Sequence, residues 1–227
     1  MKKSTALLIL IPLAVFSLFF LTEIWSAMRV HWEGFAGWWK NHNSSFYHWY
    51  VWVALGSIVF PLMNRFFEKN IEMAKTFTHE LTHTITALLT FRRIHSFEAK
   101  EEGSGVVYTS GRESLRFLTT LAPYCFPIYT FPLMVLRCMM IPVYYPIIDI
   151  LIGFTIGLHI ICFREQTGDH QTDINRFPHW FSYSYILGIL IFDVCLILIS
   201  YEPSLNIFYA FKTLGMDFWN DICKLVG

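Results

Sequence analysis

Two histidines and a glutamate stand close together in His79-Glu80-Leu81-Thr82-His83, inside an apolar run from about Ile71 to Phe91. On an α-helix, side chains four residues apart lie one above the other, so the two imidazoles can converge on one cation. Glu80 sits beside that face. This is the H-E-x-x-H arrangement, in which two histidines bind Zn²⁺ and the glutamate takes a proton from water during hydrolysis. The pattern is short enough to arise by chance, and its bland reading is a set of satisfied polar residues in a core. Its setting argues for function. A carboxylate in an apolar helix costs roughly 2.5 to 3.5 kcal/mol on membrane-insertion scales and usually marks a functional site or an internal partner.

A catalytic zinc takes three protein ligands and keeps a fourth position open, so one more donor is needed from elsewhere in the chain. Asp173 is the first choice, because it stands in a polar break between two apolar runs, where unwound backbone can bring a carboxylate into a bundle. Asp169 and His170 lie within a turn of it and are rivals. His159, alone in an apolar helix, reads as a packed core histidine. Asp193, inside the last apolar run, reads as facing the bundle rather than lipid.

The elements that must position these residues are membrane elements. The 227 residues are 55% hydrophobic and 18% aromatic with only 15% charged, and 17 Lys and Arg balance 17 Asp and Glu. Balanced charge without a basic patch excludes a nucleic-acid surface. The five cysteines include no C-x-x-C pair and imply neither a disulfide framework nor a thiolate metal site. Lys2 and Lys3 precede an apolar run from Thr5 to Thr22, long enough to span a bilayer and followed by bulky Glu23-Ile24-Trp25 rather than a small-residue cleavage site, so it reads as a retained span. Glu23 to Ser45, dense in tryptophan, reads as interfacial. Further spans are expected at about Phe46 to Met63, along the motif helix, and at Leu115 to Met140, Pro142 to Phe163 and Phe181 to Tyr201. A charged connector, Asn64 to Asn70, separates the second from the motif helix. Pro123, Pro127 and Pro132 should kink or break the run from Leu115.

After the motif helix, Ile94 to Ala99 and Gly105 to Thr109 read as two strands of a hairpin turning at Lys100 to Ser104. An edge strand beside a protease site can hold an extended peptide through main-chain hydrogen bonds. The tail, Glu202 to Gly227, reads as a surface-lying amphipathic helix. The expected fold is therefore an all-α polytopic membrane protein with about six transmembrane helices and a small β-hairpin. It forms one domain over residues 1–227: N-terminal spans and interfacial segment to residue 70, catalytic core 71–180, last span and tail 181–227. Lys and Arg are spread too evenly over the two sides to fix the orientation.

These residues carry a resemblance. His79-Glu80-Leu81-Thr82-His83 with the following Thr84 to Thr90, then Gly103 to Gly111, Ala122-Pro123 and Gln171-Thr172-Asp173, resemble the site-2 protease family of intramembrane zinc metalloproteases, in its compact bacterial branch without a PDZ domain. The resemblance covers roughly residues 71–180. It implies one Zn²⁺ per chain held by His79, His83 and Asp173, with Glu80 as general base, in a bacterial inner-membrane enzyme that cleaves membrane-associated protein or peptide substrates. Family members usually carry a small residue, often Gly, before the second histidine, where this chain has Thr82, and a Gly near the Ala-Pro segment, where it has Ala122-Pro123-Tyr124. Their aspartate lies in a D-G or N-P-D-G context absent here. The competing class is an inactive structural or partner-binding membrane protein. A di-iron hydroxylase would need several clustered histidine boxes, and the chain has the single pair His79 and His83. A zinc protease of another class would recruit Glu98 or Glu113 as third ligand.

Overall fold

The computed structural model describes residues 6–15, 49–99, 105–168 and 171–201. The remainder of the first apolar run, the tryptophan-rich segment, the hairpin turn, Asp169, His170 and the tail lie outside the described residues. Helix α1 is Ala6–Val15. Helix α2, Trp49–Leu89, is 41 residues long and carries the motif in its C-terminal part. Strands β1, Arg93–Ala99, and β2, Gly105–Ser110, follow it. Then come α3, Arg116–Leu121, and α4, Thr130–Met139, with α5, Tyr145–Gln166, α6, Thr172–Asn175, and α7, His179–Tyr201.

Among the described residues three helices are long and apolar enough to cross a membrane: Trp49–Phe67, Pro142–Gln166 and His179–Leu198. Six separate spans are therefore not found. The expected charged connector from Asn64 to Asn70 is helical, so the second span and the motif helix are one element with a single kink at Phe67 (φ −127°, ψ 28°). The reason lies on α5. Asn64 Nδ2 donates to Glu165 Oε1 at 3.1 Å, and Lys75 Nζ, only 2% exposed, lies 2.6 Å from both Glu165 Oε2 and Glu72 Oε2. Asn64 of the connector and Lys75 beyond it thus have partners inside the bundle, and the chain need not leave the helix to solvate them. The run from Leu115 breaks as its prolines predict, into α3, a 3₁₀ turn over Ala122–Tyr124 and α4.

Helices α2 and α5 approach until their backbones touch. A Cβ on Gly56 would lie 2.0 Å from the Ile150 carbonyl oxygen, and one on Gly153 would lie 2.0 Å from that of Val53. Small residues at such crossings let dispersion contacts accumulate where lipid supplies no hydrophobic drive. The neighbouring α4 is tied in by a buried ion pair: Arg137 Nε donates to Asp149 Oδ1 at 2.6 Å, and Tyr201 Oη on α7 donates to the same oxygen at 2.9 Å. A separate apolar cluster, including Phe117, Leu121, Ile174, Phe181 and Ile186, holds α3, α6 and α7 together. It fixes the short α6 beside the motif.

The hairpin forms as expected, with Phe97 opposite Val107 and Ala99 opposite Gly105 in antiparallel register. A register shift falls between Ile94 and Ser96. The Phe97 ring meets Phe77 on α2 edge-on at 5.7 Å, which anchors the hairpin along the motif helix.

Candidate metal centre

The motif half of α2 carries an unusual number of threonines, and each resolves its own hydroxyl. Thr76, Thr78, Thr82, Thr84, Thr86 and Thr90 all donate to the carbonyl four residues earlier. Thr82, 2% exposed, donates to the Thr78 carbonyl at 2.7 Å, so a threonine fits before His83 without an unmatched polar group. The helix ends at Phe91, which takes a left-handed conformation (φ 55°), while the N–H of Arg92 returns to the Ala87 carbonyl and that of Phe91 to Leu88. Glycine normally occupies that position, because a Cβ there costs roughly 1 to 2 kcal/mol. The turn leaves Phe91 95% exposed and buries Arg92.

His79 and His83 face one another with ring centroids 4.9 Å apart. The His83 Nδ1–H donates to the Thr119 carbonyl of α3 at 2.8 Å, and the His79 Nδ1–H donates to Gln166 Oε1 at the end of α5 at 3.0 Å. With both Nδ1 atoms so engaged, both Nε2 atoms are turned to the same point. Asp173, in the first turn of α6, places Oδ2 there, 3.1 Å from His83 Nε2 and 3.9 Å from His79 Nε2. All three ligand atoms lie within 4.8 Å of one another. Two imidazole lone pairs and a carboxylate oxygen crowded together repel unless a cation lies among them. Ligand atoms on a tetrahedral zinc at about 2.0–2.1 Å stand roughly 3.3 Å apart, between the two separations seen here. The donor set therefore fits the ion. Burial alone would raise the Asp173 pKa, but hydrogen bonds and positive charge from the imidazoles, when they carry the proton that a metal ion would replace, outweigh it and hold the carboxyl well below the usual carboxylate range.

Glu80 is buried, 6% exposed, and borders the cleft that His83 and Asp173 also line. The start of β2 presses on it: a Cβ on Gly105 would lie 2.5 Å from Glu80 Cγ and 2.6 Å from Oε1. Gly105→Ala should therefore push the carboxylate from its place. A displacement of that size costs about 10²-fold in turnover when the group reacts, so we expect that loss with zinc content unchanged; unaltered turnover would show that Glu80 needs no such seat.

Of the other residues singled out in the sequence, none described joins the three. His159 lines a separate small cavity that His79 also borders, with its Nε2 lacking a hydrogen-bond partner among the described residues. Asp193 is buried in α7, 4% exposed. Glu98 is exposed on β1, and Glu113 pairs with Arg116 at 3.0 Å. Sequence reasoning missed Gln166, Thr119 and Gly105, since nothing local to them shows that they meet the motif.

Fold and site define a helical membrane protein with two histidines and one aspartate placed where they could hold a cation. A family model described as Peptidase M50B-like matches residues 49–165, half of the chain, and the chain belongs to this family, the site-2 protease family of membrane metallopeptidases. Zinc is the metal of these peptidases in general. The match includes His79, Glu80 and His83 and stops short of Asp173. No curated protein and no solved structure matches the chain.

Proposed function

We propose that the protein is a zinc metalloendopeptidase of the bacterial inner membrane that hydrolyses peptide bonds of membrane-associated substrates. The observation that carries this reading is the convergence of His79 Nε2, His83 Nε2 and Asp173 Oδ2 beside the buried carboxylate of Glu80. These three side chains would hold the ion, one per chain. When bound, zinc lowers the pKa of a water toward about 7 and polarises a carbonyl as a Lewis acid. Glu80 accepts the proton of the attacking water and returns it to the leaving amine. The Thr119 carbonyl and Gln166 keep His83 and His79 in the tautomer that offers Nε2.

Five consecutive residues of β2, Gly105 to Thr109, line the cleft beside Glu80. Side chains of a strand alternate between faces, so a wall made of consecutive residues presents the strand's edge. That edge supports binding of a locally extended substrate by main-chain hydrogen bonds. Val107→Pro removes an N–H from the strand, and cleavage should fall without loss of zinc; unchanged cleavage would contradict the role of the edge.

The reading as a whole is tested by incubating the detergent-solubilised protein with a peptide containing a transmembrane segment. Hydrolysis that a divalent-metal chelator stops and added zinc restores supports the proposal. Hydrolysis indifferent to chelation contradicts it, and absence of hydrolysis by a zinc-loaded protein favours the inactive, partner-binding alternative.

A further inference from the structure

The cleft beside Glu80 has a volume of about 230 Å³ and lies between β2 on one side and α3 and α6 on the other. Apart from Glu80 and Asp173, which the proposed reaction uses, its charged lining consists of Arg92, Arg116 and Arg176. None of the three is neutralised by a buried carboxylate among the described residues. Arg92 donates from Nε to Thr109 Oγ1 at 3.4 Å and from Nη1 to the Arg112 carbonyl at 2.8 Å. Arg116 pairs with Glu113, whose side chain is 73% exposed, a contact of the kind that contributes little and exchanges readily. Arg176 is exposed at the end of α6.

The charges are graded along the cleft. Gly105, where β2 begins, lies against Glu80, whereas Thr109, four residues on, lies against Arg92. A strand rises about 3.3 Å per residue, so the reacting end and this basic end are roughly 13 Å apart along β2. Arg116 borders the basic end through its closeness in sequence to Arg112, which Arg92 grips, whereas Arg176, one turn after Asp173, borders the reacting end. An extended chain laid along the β2 edge with a peptide bond at Glu80 thus passes Arg92 and Arg116 about four residues from that bond. A carboxylate there would form charge-assisted bonds, bidentate where the guanidinium fork is free, and a lysine would be repelled.

Resting on the protease reading above, we infer that the cleft selects extended peptides bearing a carboxylate about four residues from the scissile bond. The carboxylate is that of an Asp or Glu side chain or of the peptide's own C-terminus.

The test uses the zinc-loaded Glu80→Gln protein in neutral detergent, which binds without turnover, and fluorescently labelled ten-residue peptides followed by anisotropy. A single Glu is moved through an otherwise uncharged, C-terminally amidated sequence, with Gln and Lys series beside it and one uncharged peptide carrying a free C-terminus. Mass spectrometry of wild-type products marks the cleaved bond. Glu at the matching position should bind about tenfold tighter than Gln. Combined Arg116→Gln and Arg176→Gln should erase that preference, while Arg164→Gln, an exposed arginine outside the cleft, should leave it. A preference confined to the free C-terminus assigns the site to a chain end. Equal binding of the Glu, Gln and Lys series overturns the inference, as does a preference that survives the double substitution. It is also overturned if the double variant loses retention on phosphatidylglycerol vesicles and keeps its peptide preference, which would make the arginines a lipid-headgroup site. Charge-selective binding without any wild-type cleavage counts against the protease reading and for the selectivity; cleavage without charge selection does the reverse.

Discussion

Glu80→Gln yields a folded, zinc-loaded protein whose peptide hydrolysis is about 10²- to 10⁴-fold slower, the range a positioned general acid–base contributes. Glutamine keeps the volume and one carbonyl oxygen of the side chain, so the packing of Gly105 against Cγ is preserved. What it lacks is a site for the proton. Glu80 is not among the three side chains whose ligand atoms converge, and its removal leaves His79, His83 and Asp173 in place. The measurement is the single-turnover rate on a peptide of known cleavage site, beside zinc content. Equal rates for variant and wild type would remove Glu80 from the chemistry and with it the hydrolytic reading of the motif.

Asp173→Ala removes one of the three donors and should lower zinc affinity by more than the roughly 10- to 100-fold that the loss of an outer-shell partner costs. Hydrolysis should disappear with the metal. The effect separates a ligand from a merely buried charge through a control on α7. Asp193 is more buried than Asp173 but lies away from the histidines, so Asp193→Asn should keep full zinc content whatever it does to stability. If Asp173→Ala retains zinc, the third donor is another group, and Glu98 and Glu113 are already too exposed and too distant to supply it.

Much of the site was legible because its signals are local. The four-residue spacing of His79 and His83 needs only a helix, and the alternating residues on either side of a glycine-containing turn need only a hairpin. Asp173 could be singled out because a polar break between apolar runs is visible in composition. The supports of the site were not legible, since each depends on a partner far along the chain. Asn64 looks like the start of a charged connector, and Lys75 like a stray charge in the motif run, until Glu165, 90 residues beyond Lys75, is seen to hold both inside the bundle. Gly56 and Gly153 read as ordinary apolar-run glycines, and only the α2–α5 crossing shows that neither tolerates a side chain. Gln166 and Thr119 orient the two imidazoles, one by a side chain and one by a carbonyl, and a backbone carbonyl leaves no mark in a sequence. Asn64 to Asn70 also accounts for one of the expected spans: without sight of Glu165, one long kinked helix reads as two.

Zinc per chain, measured by elemental analysis on the purified wild-type protein beside Asp173→Ala, tests the centre most directly. About one zinc in the wild type and far less in the variant is the predicted result. A folded wild-type protein that holds no zinc after exposure to it would contradict the metal centre and the hydrolytic chemistry built on it.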